Sequence, residues 1–185
     1  MSVYRIASRY AKSLLGLASE QGKLEEVNND MLLFSQMIEE NRGFLLLLKS
    51  PVVPHDKKLT ILHQVFDGKV NGLTLSIFKI LAKKHREQYL PAIATEFHHQ
   101  YNVKKGIAEA TVTTTFPIDA KLRAEFEAVV TSISGKKVEL TEKVEEDLIG
   151  GFILKIGDSQ IDDSINSRLK ALKLEFSKNP YIRAF

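Results

Sequence analysis

The sequence contains no cysteine. That excludes disulfides, thiolate zinc sites and cysteine nucleophiles, and it fits a reducing compartment. No apolar run approaches the roughly 20 residues needed to span a bilayer; the richest, Phe44–Leu48, is far too short. HExxH, GxSxG, GxGxxG and GxxxxGK[ST] are all missing, so the common zinc-protease, hydrolase-elbow and phosphate-loop chemistries have no footing. Acidic residues are absent from the first 19 positions, which carry Arg5, Arg9 and Lys12. Mitochondrial transit peptides share that bias. The apolar residues here keep a packing period, however, and acids follow at once at Glu20, Glu25 and Glu26, so the segment reads as a folded helix. Lys12 interrupts the apolar core that a secretory signal needs.

What is present suits a folded chain. Its 185 residues are 44% hydrophobic, enough for one large domain or two small ones. The formal net charge is +3 and unevenly spread: residues 1–105 hold 15 basic against 10 acidic side chains, residues 106–185 hold 11 against 13. Neither half is polarised enough to require nucleic acid.

Periodicity divides the chain near residue 105. Val3, Ile6, Tyr10, Leu14 and Leu17 recur at three and four, the spacing of one helix face. Tyr4, Ala7, Ala11, Leu15 and Ala18 form a second, weaker stripe beside it. The next helix carries Leu24, Val27, Met31, Phe34 and Ile38 and is broken by Asn41-Arg42-Gly43. Phe44–Lys49 reads as a short buried helix, and Ser50-Pro51-Val52-Val53-Pro54 as a stiff connection into a fourth. The fifth spans about 72–85, with Leu73, Ile77, Ile80 and Leu81 inward and Leu75, Phe78 and Ala82 beside them. A sixth begins near Tyr89 and runs to about Lys104. At Gly106 the period becomes two: Ile107–Thr115 is a β-branched strand. A helix opened by Pro117 and Asp119, then a strand at Val138–Leu140, follow.

The stretch from Glu145 to Leu172 is the most informative. Gly150-Gly151 permits a bulge or a close approach. Phe152, Leu154 and Ile156 alternate as a strand, Gly157-Asp158-Ser159 turns the chain, and Gln160-Ile161 resume it. Asp162, Asp163 and Ser164 offer N-cap oxygens, and Ile165, Leu169, Leu172 and Phe176 lie on one helix face. Asn179-Pro180 ends that helix and Tyr181–Phe185 is a tail. Asp158, Asp162 and Asp163 do not have calcium-loop spacing, so turn and cap roles account for them. The five histidines form no metal motif, and His98 and His99 diverge by about 100° on a helix. Lys83-Lys84-His85-Arg86 could meet phosphates, yet no aromatics interleave with it. A nucleic-acid-binding helical protein without catalytic activity is the alternative reading, and a hydrolase or transferase with an unusual site is a third.

The run Leu148-Ile149-Gly150-Gly151-Phe152-Ile153-Leu154-Lys155-Ile156-Gly157-Asp158, followed by Ile161-Asp162-Asp163-Ser164-Ile165 and Arg168-Leu169, resembles the signature of the delta subunit family of bacterial F-type ATP synthases. That family is related to the mitochondrial oligomycin-sensitivity-conferring protein. Tyr10-Ala11-Lys12-Ser13-Leu14, Ser50-Pro51-Val52-Val53 and Leu90-Pro91-Ala92-Ile93 add to the likeness, which covers nearly the whole chain. Two departures are His85, where the family often has a small residue before the arginine, and Asp163, where glycine is common.

The resemblance implies an α+β chain: an N-terminal all-α six-helix bundle over residues 1–105 and a small C-terminal αβ domain over 106–185. It implies a non-catalytic stator subunit, with no cofactor and no metal, at the cytoplasmic face of the bacterial inner membrane. Its partners would be the alpha subunits of the catalytic head and the b subunits of the peripheral stalk, with no nucleic acid and membrane association only through the complex. The alpha-binding groove would involve the first and fifth helices, and we assign Tyr10, Ala11, Leu14, Leu75, Phe78 and Lys79 to it. Phe152, Leu154, Ile165 and Leu169 are assigned to the stalk side.

Overall fold

The computed structural model describes residues 2–177, so the expected helix stop at Asn179-Pro180 and the tail Tyr181–Phe185 lie outside the described residues. The chain divides into two compact units at Lys104–Lys105.

The first unit is helical: α1 (Val3–Glu20), α2 (Leu24–Glu40), α3 (Arg42–Lys49), α4 (His55–Phe66), α5 (Gly72–Lys83), a 3-10 turn at Glu87–Tyr89, and α6 (Leu90–Lys105). Its centre is aromatic. Phe34, Phe66 and Phe78 are fully buried, with ring centroids 5.2–5.6 Å apart, and Phe44 closes on Phe34 at 6.2 Å. Such ring pairs contribute about 0.5–1.5 kcal/mol beyond the area they bury. A polar joint fixes α2 against the start of α5. Asp30 Oδ2 accepts from the Asn71 backbone N–H at 2.7 Å and from Thr74 Oγ1 at 2.6 Å. Asn71 itself caps α5 by accepting from Leu73 N at 3.0 Å. A carboxylate at a helix N-terminus meets unsatisfied N–H groups and the positive end of the dipole.

Several local expectations need correction. Alpha3 begins at Arg42, because Asn41 alone breaks the chain between it and α2. It is amphipathic rather than buried: Leu48 is enclosed, Phe44 and Leu45 lean on the core, and Leu46 is exposed. Helix α5 stops at Lys83, and Ile80 faces outward while Phe78 and Ala82 take the inward places. On α1 the buried face is drawn from both stripes, with the alanines of the weaker one at its centre. Ala7, Ala11, Leu14 and Ala18 form the buried face, whereas Val3, Tyr4 and Leu17 are exposed and Ile6 and Tyr10 half-buried. Small alanines let α1 lie close to its neighbours, and that close packing outweighs the larger burial gain of the bulkier stripe.

The second unit contains β1 (Ile107–Thr114), α7 (Ala120–Ser134), β2 (Lys137–Val144), a 3-10 turn at Glu146–Leu148, β3 (Phe152–Ile156), β4 (Ser159–Asp162) and α8 (Ile165–Ser177). The sheet order is β2-β1-β3-β4. Strands β1 and β2 run parallel, with Ala110 opposite Leu140, and α7 supplies the crossover that a parallel pair requires. Strand β3 is antiparallel to β1 and makes a hairpin with β4. Beta2 runs four residues past the expected Leu140 end, because edge strands tolerate the charges of Glu142 and Lys143. Asp119 Oδ1 caps α7 by accepting from Leu122 N at 2.8 Å. Arg123 reaches from α7 to the edge strand, donating to the Leu140 carbonyl at 3.1 Å and pairing with Glu142 at 2.7 Å. The core is small: Ala110, Val112, Val130, Leu140 and Leu154, with Phe126 and Phe152 edge-to-face at 5.1 Å beside it.

Candidate functional site

The glycine pair works as backbone geometry. Gly151 has φ +80°, and a Cβ there would run into the Asp163 carbonyl oxygen and lie 3.0 Å from Ser164 Cα. The chain before β3 thus presses directly on the start of α8. Two backbone bonds fasten the approach: Ile165 N donates to the Gly150 carbonyl at 2.9 Å and Asp163 N to the Phe152 carbonyl at 3.0 Å. Asp162 is committed locally, accepting from Ser164 N at 3.0 Å and from Ser167 Oγ at 2.7 Å, bonds that lower its carboxyl pKa. Asp163 pairs with Arg168. Among the described residues no group of three or more His, Asp or Glu could hold a metal ion.

The residues assigned to the stalk side separate into two kinds. Leu154 is buried in the sheet's core and Phe152 is half-buried against Phe126. Ile165 and Leu169 stand at the surface, and α8 has no buried residue among those described. Leu169 is 52% and Phe176 85% exposed, with Leu172 beside them on the same face, so the apolar stripe of α8 is uncovered rather than part of a core.

The residues assigned to the groove separate likewise. Ala11, Leu14 and Phe78 belong to the bundle's core, so they set the spacing of α1 and α5 and present no surface. Tyr10 and Leu75 pack on that core from its rim, and Lys79 is exposed. The outward side of α1 mixes apolar and cationic residues: Val3, Tyr4 and Leu17 are exposed, Ile6 and Tyr10 are half-buried, and Arg5, Arg9 and Lys12 are exposed among them, while Ile80 is the exposed apolar residue of α5.

Beside α1 lies a pocket of about 220 Å³ lined by Ile6, Arg9, Tyr10, Ser13 and Arg86. Arg86 Nη1 donates to the Tyr10 hydroxyl at 3.1 Å, and its guanidinium carbon stands 6.0 Å from the ring centre. Sequence reasoning missed this pocket, although two signals pointed to it: the cationic, acid-free start of α1, and the basic run ending at Arg86.

The turn that carries Arg86 is anchored in the interior. Lys58 Nζ donates to Glu87 Oε1 at 2.7 Å and to the Leu48 carbonyl at the end of α3 at 3.0 Å. His55 Nδ1 lies 2.6 Å from the same Glu87 oxygen, and the His55 and His85 rings are 3.9 Å apart. Burial pushes the Glu87 carboxyl up, but hydrogen bonds from Lys58, its own backbone and His55, together with the Lys58 charge, outweigh burial and leave it below its ordinary value.

No helix among the described residues is long and apolar enough to cross a membrane. The sequence profile of the ATP synthase delta (OSCP) subunit family matches residues 6–176. Over 178 residues the chain is 44% identical to ATP synthase subunit delta of Cytophaga hutchinsonii, covering 96% of this chain and 97% of that one. It is 40% identical to the delta subunit of Flavobacterium johnsoniae, covering 96% and 99%. Among solved structures, a chain of the Toxoplasma gondii mitochondrial ATP synthase hexamer shares the fold, with a TM-score of 0.74 at 24% identity over 92% of this chain and 96% of that one. With matches that run nearly end to end, the chain belongs to the ATP synthase delta (OSCP) subunit family, a non-catalytic stator component of F-type ATP synthase.

Proposed function

We propose that this subunit joins the catalytic head of the synthase to its peripheral stalk, so that the head resists rotor torque during proton-driven ATP synthesis. The helical unit, residues 1–105, holds the N-terminal helices of the head's alpha subunits along α1 and α5. Tyr10, Leu75 and Lys79 meet the partner, while Ala11, Leu14 and Phe78 fix the helices that present them. The αβ unit, residues 106–185, grips the b subunits of the stalk through Ile165 and Leu169, with Phe152 and Leu154 holding the sheet in shape. The assembly places the subunit at the cytoplasmic face of the bacterial inner membrane, where it is retained through its partners.

The observation that supports this reading is that each unit leaves apolar helix surface exposed: Val3 and Leu17 on α1, beside the half-buried Ile6 and Tyr10, and Ile165, Leu169, Leu172 and Phe176 on α8. Fully burying a leucine or phenylalanine is worth about 1.5–3 kcal/mol. A joint under torque needs slow dissociation, which apolar helix contacts supply and isolated surface ion pairs do not. The test is a pair of pull-downs on the full chain, one with the alpha N-terminal segment and one with the b C-terminal segment. Leu17→Asp should lose only the first and Leu169→Asp only the second. A folded variant that loses both partners, or neither, contradicts the proposal.

A further inference from the structure

The pocket beside α1 has room for a side chain, at several times the ~30 Å³ share of one water molecule. Its walls are cationic and uncompensated. Neither Arg9 nor Arg86 has an acidic partner among the described residues. The surroundings have the same sign: α1 carries Arg5, Arg9 and Lys12 and no acid before its last residue, Glu20, and α5 carries Lys79 and Lys83 and no acid. Like charges gathered without counter-charge repel within the folded chain, and a carboxylate is the group a guanidinium binds in two-pronged fashion.

The way Arg86 is held points in the same direction. It sits between His85, whose φ of 55° is left-handed, and the buried Glu87. Its N–H donates to the Leu81 carbonyl at 2.8 Å. A buried ion pair is an inefficient way to stabilise a bundle, because desolvation offsets most of the attraction. Glu87 Oε2 is moreover buried with no hydrogen-bond partner among the described residues. What the Lys58–Glu87 pair does achieve is position: it ties the turn to α4 and to the end of α3, so that Arg86 projects to Tyr10 already ordered. Side-chain freedom removed in advance is not lost on binding.

We infer that this pocket receives a carboxylate side chain from the partner helix, between Arg9 and Arg86, and that the Lys58–Glu87 pair positions Arg86 to take it. The inference rests on the head-binding reading above and deepens it: the occupant is an amphipathic helix with an acidic residue beside its apolar face. The experiment titrates the full chain with the alpha N-terminal segment, in its natural sequence and with each acid replaced in turn by its amide. Arg86→Met weakens the natural peptide roughly 10- to 100-fold, the range for a hydrogen bond to a charged group. One amide peptide shows the same loss, and combining the two changes adds little more. In Glu87→Gln the preference for the natural over that amide peptide shrinks while affinity for the amide peptide is kept; general loosening of the bundle would weaken both alike. Wild-type protein binding the natural and every amide peptide equally overturns this inference and leaves the head-binding reading standing. If wild-type protein binds no peptide at all, both fall.

Discussion

A single methyl group added at residue 151 tests whether the signature glycines act through the fold. Two costs arise in Gly151→Ala. An L-residue at φ +80° is strained by about 1–2 kcal/mol. The new Cβ also meets backbone, the Asp163 carbonyl and Ser164 Cα, which can move only by shifting the start of α8; overpacking of that kind costs about 1–3 kcal/mol. The expected total is about 2–5 kcal/mol, set against the roughly 4–12 kcal/mol that a unit of about 80 residues possesses. Gly150→Ala is the control. Its Cβ meets chiefly Ile165 Cδ1 at 2.6 Å, the end of a flexible, part-exposed side chain that can swing aside, so its cost should stay within about 0.5 kcal/mol. Urea unfolding of the full chain, followed by amide exchange element by element, separates the cases. Gly151→Ala should speed exchange in β1, β3 and α8 and leave α1–α6 protected. Equal costs at the two positions, or an unaltered αβ unit in Gly151→Ala with stalk binding lost, would refute the reasoning and make the glycines contact residues.

Acid should weaken the helical unit through Glu87. Because its carboxyl is lowered in the folded chain, its contribution is complete above the ordinary glutamate value of about 4.3 and is lost as pH falls through the lower folded value. Glu87→Gln should cost about 3 kcal/mol at pH 7, since Lys58 is left buried without its counter-charge, and should flatten the acid limb of a plot of urea midpoint against pH; an unchanged limb counts against the pair. Limited trypsin digestion should nick first near Lys104-Lys105-Gly106 and release two protected fragments, and resistance there would argue for one fused domain.

Element types and the change from helix to sheet were legible because period and turn residues are local signals. Orientation was not. On α1 the bulkier stripe looked like the core, yet a face reserved for a partner is as apolar as one reserved for the interior, and the alanines hold the inner place. The same ambiguity applies to Phe78, expected at the groove and found among Phe34 and Phe66, and to Leu154, assigned to the stalk side and found buried in the sheet's core, while Ile165 and Leu169 stand at the surface of α8. Strand β2 outruns the expected Val138–Leu140 because Glu142 and Lys143, though charged, suit a sheet edge. The anchor of Arg86 was invisible for a different reason. Lys58 and Glu87 lie 29 residues apart, and no local pattern announces a pair made only by the packing of α4 against a later turn.

Arg123 has a consequence for the time before assembly. An exposed sheet edge is a template on which another chain can crystallise as an extra strand, and a subunit waiting for its complex already displays sticky helix faces. Here the long edge strand has one carbonyl, that of Leu140, held by a guanidinium, with Glu142 drawn into the same clasp. The opposite edge, β4, is only four residues long. A newcomer must first evict the arginine on one side and finds little rail on the other. The unassembled subunit can therefore be adhesive to helices while remaining a poor seed for β-aggregation.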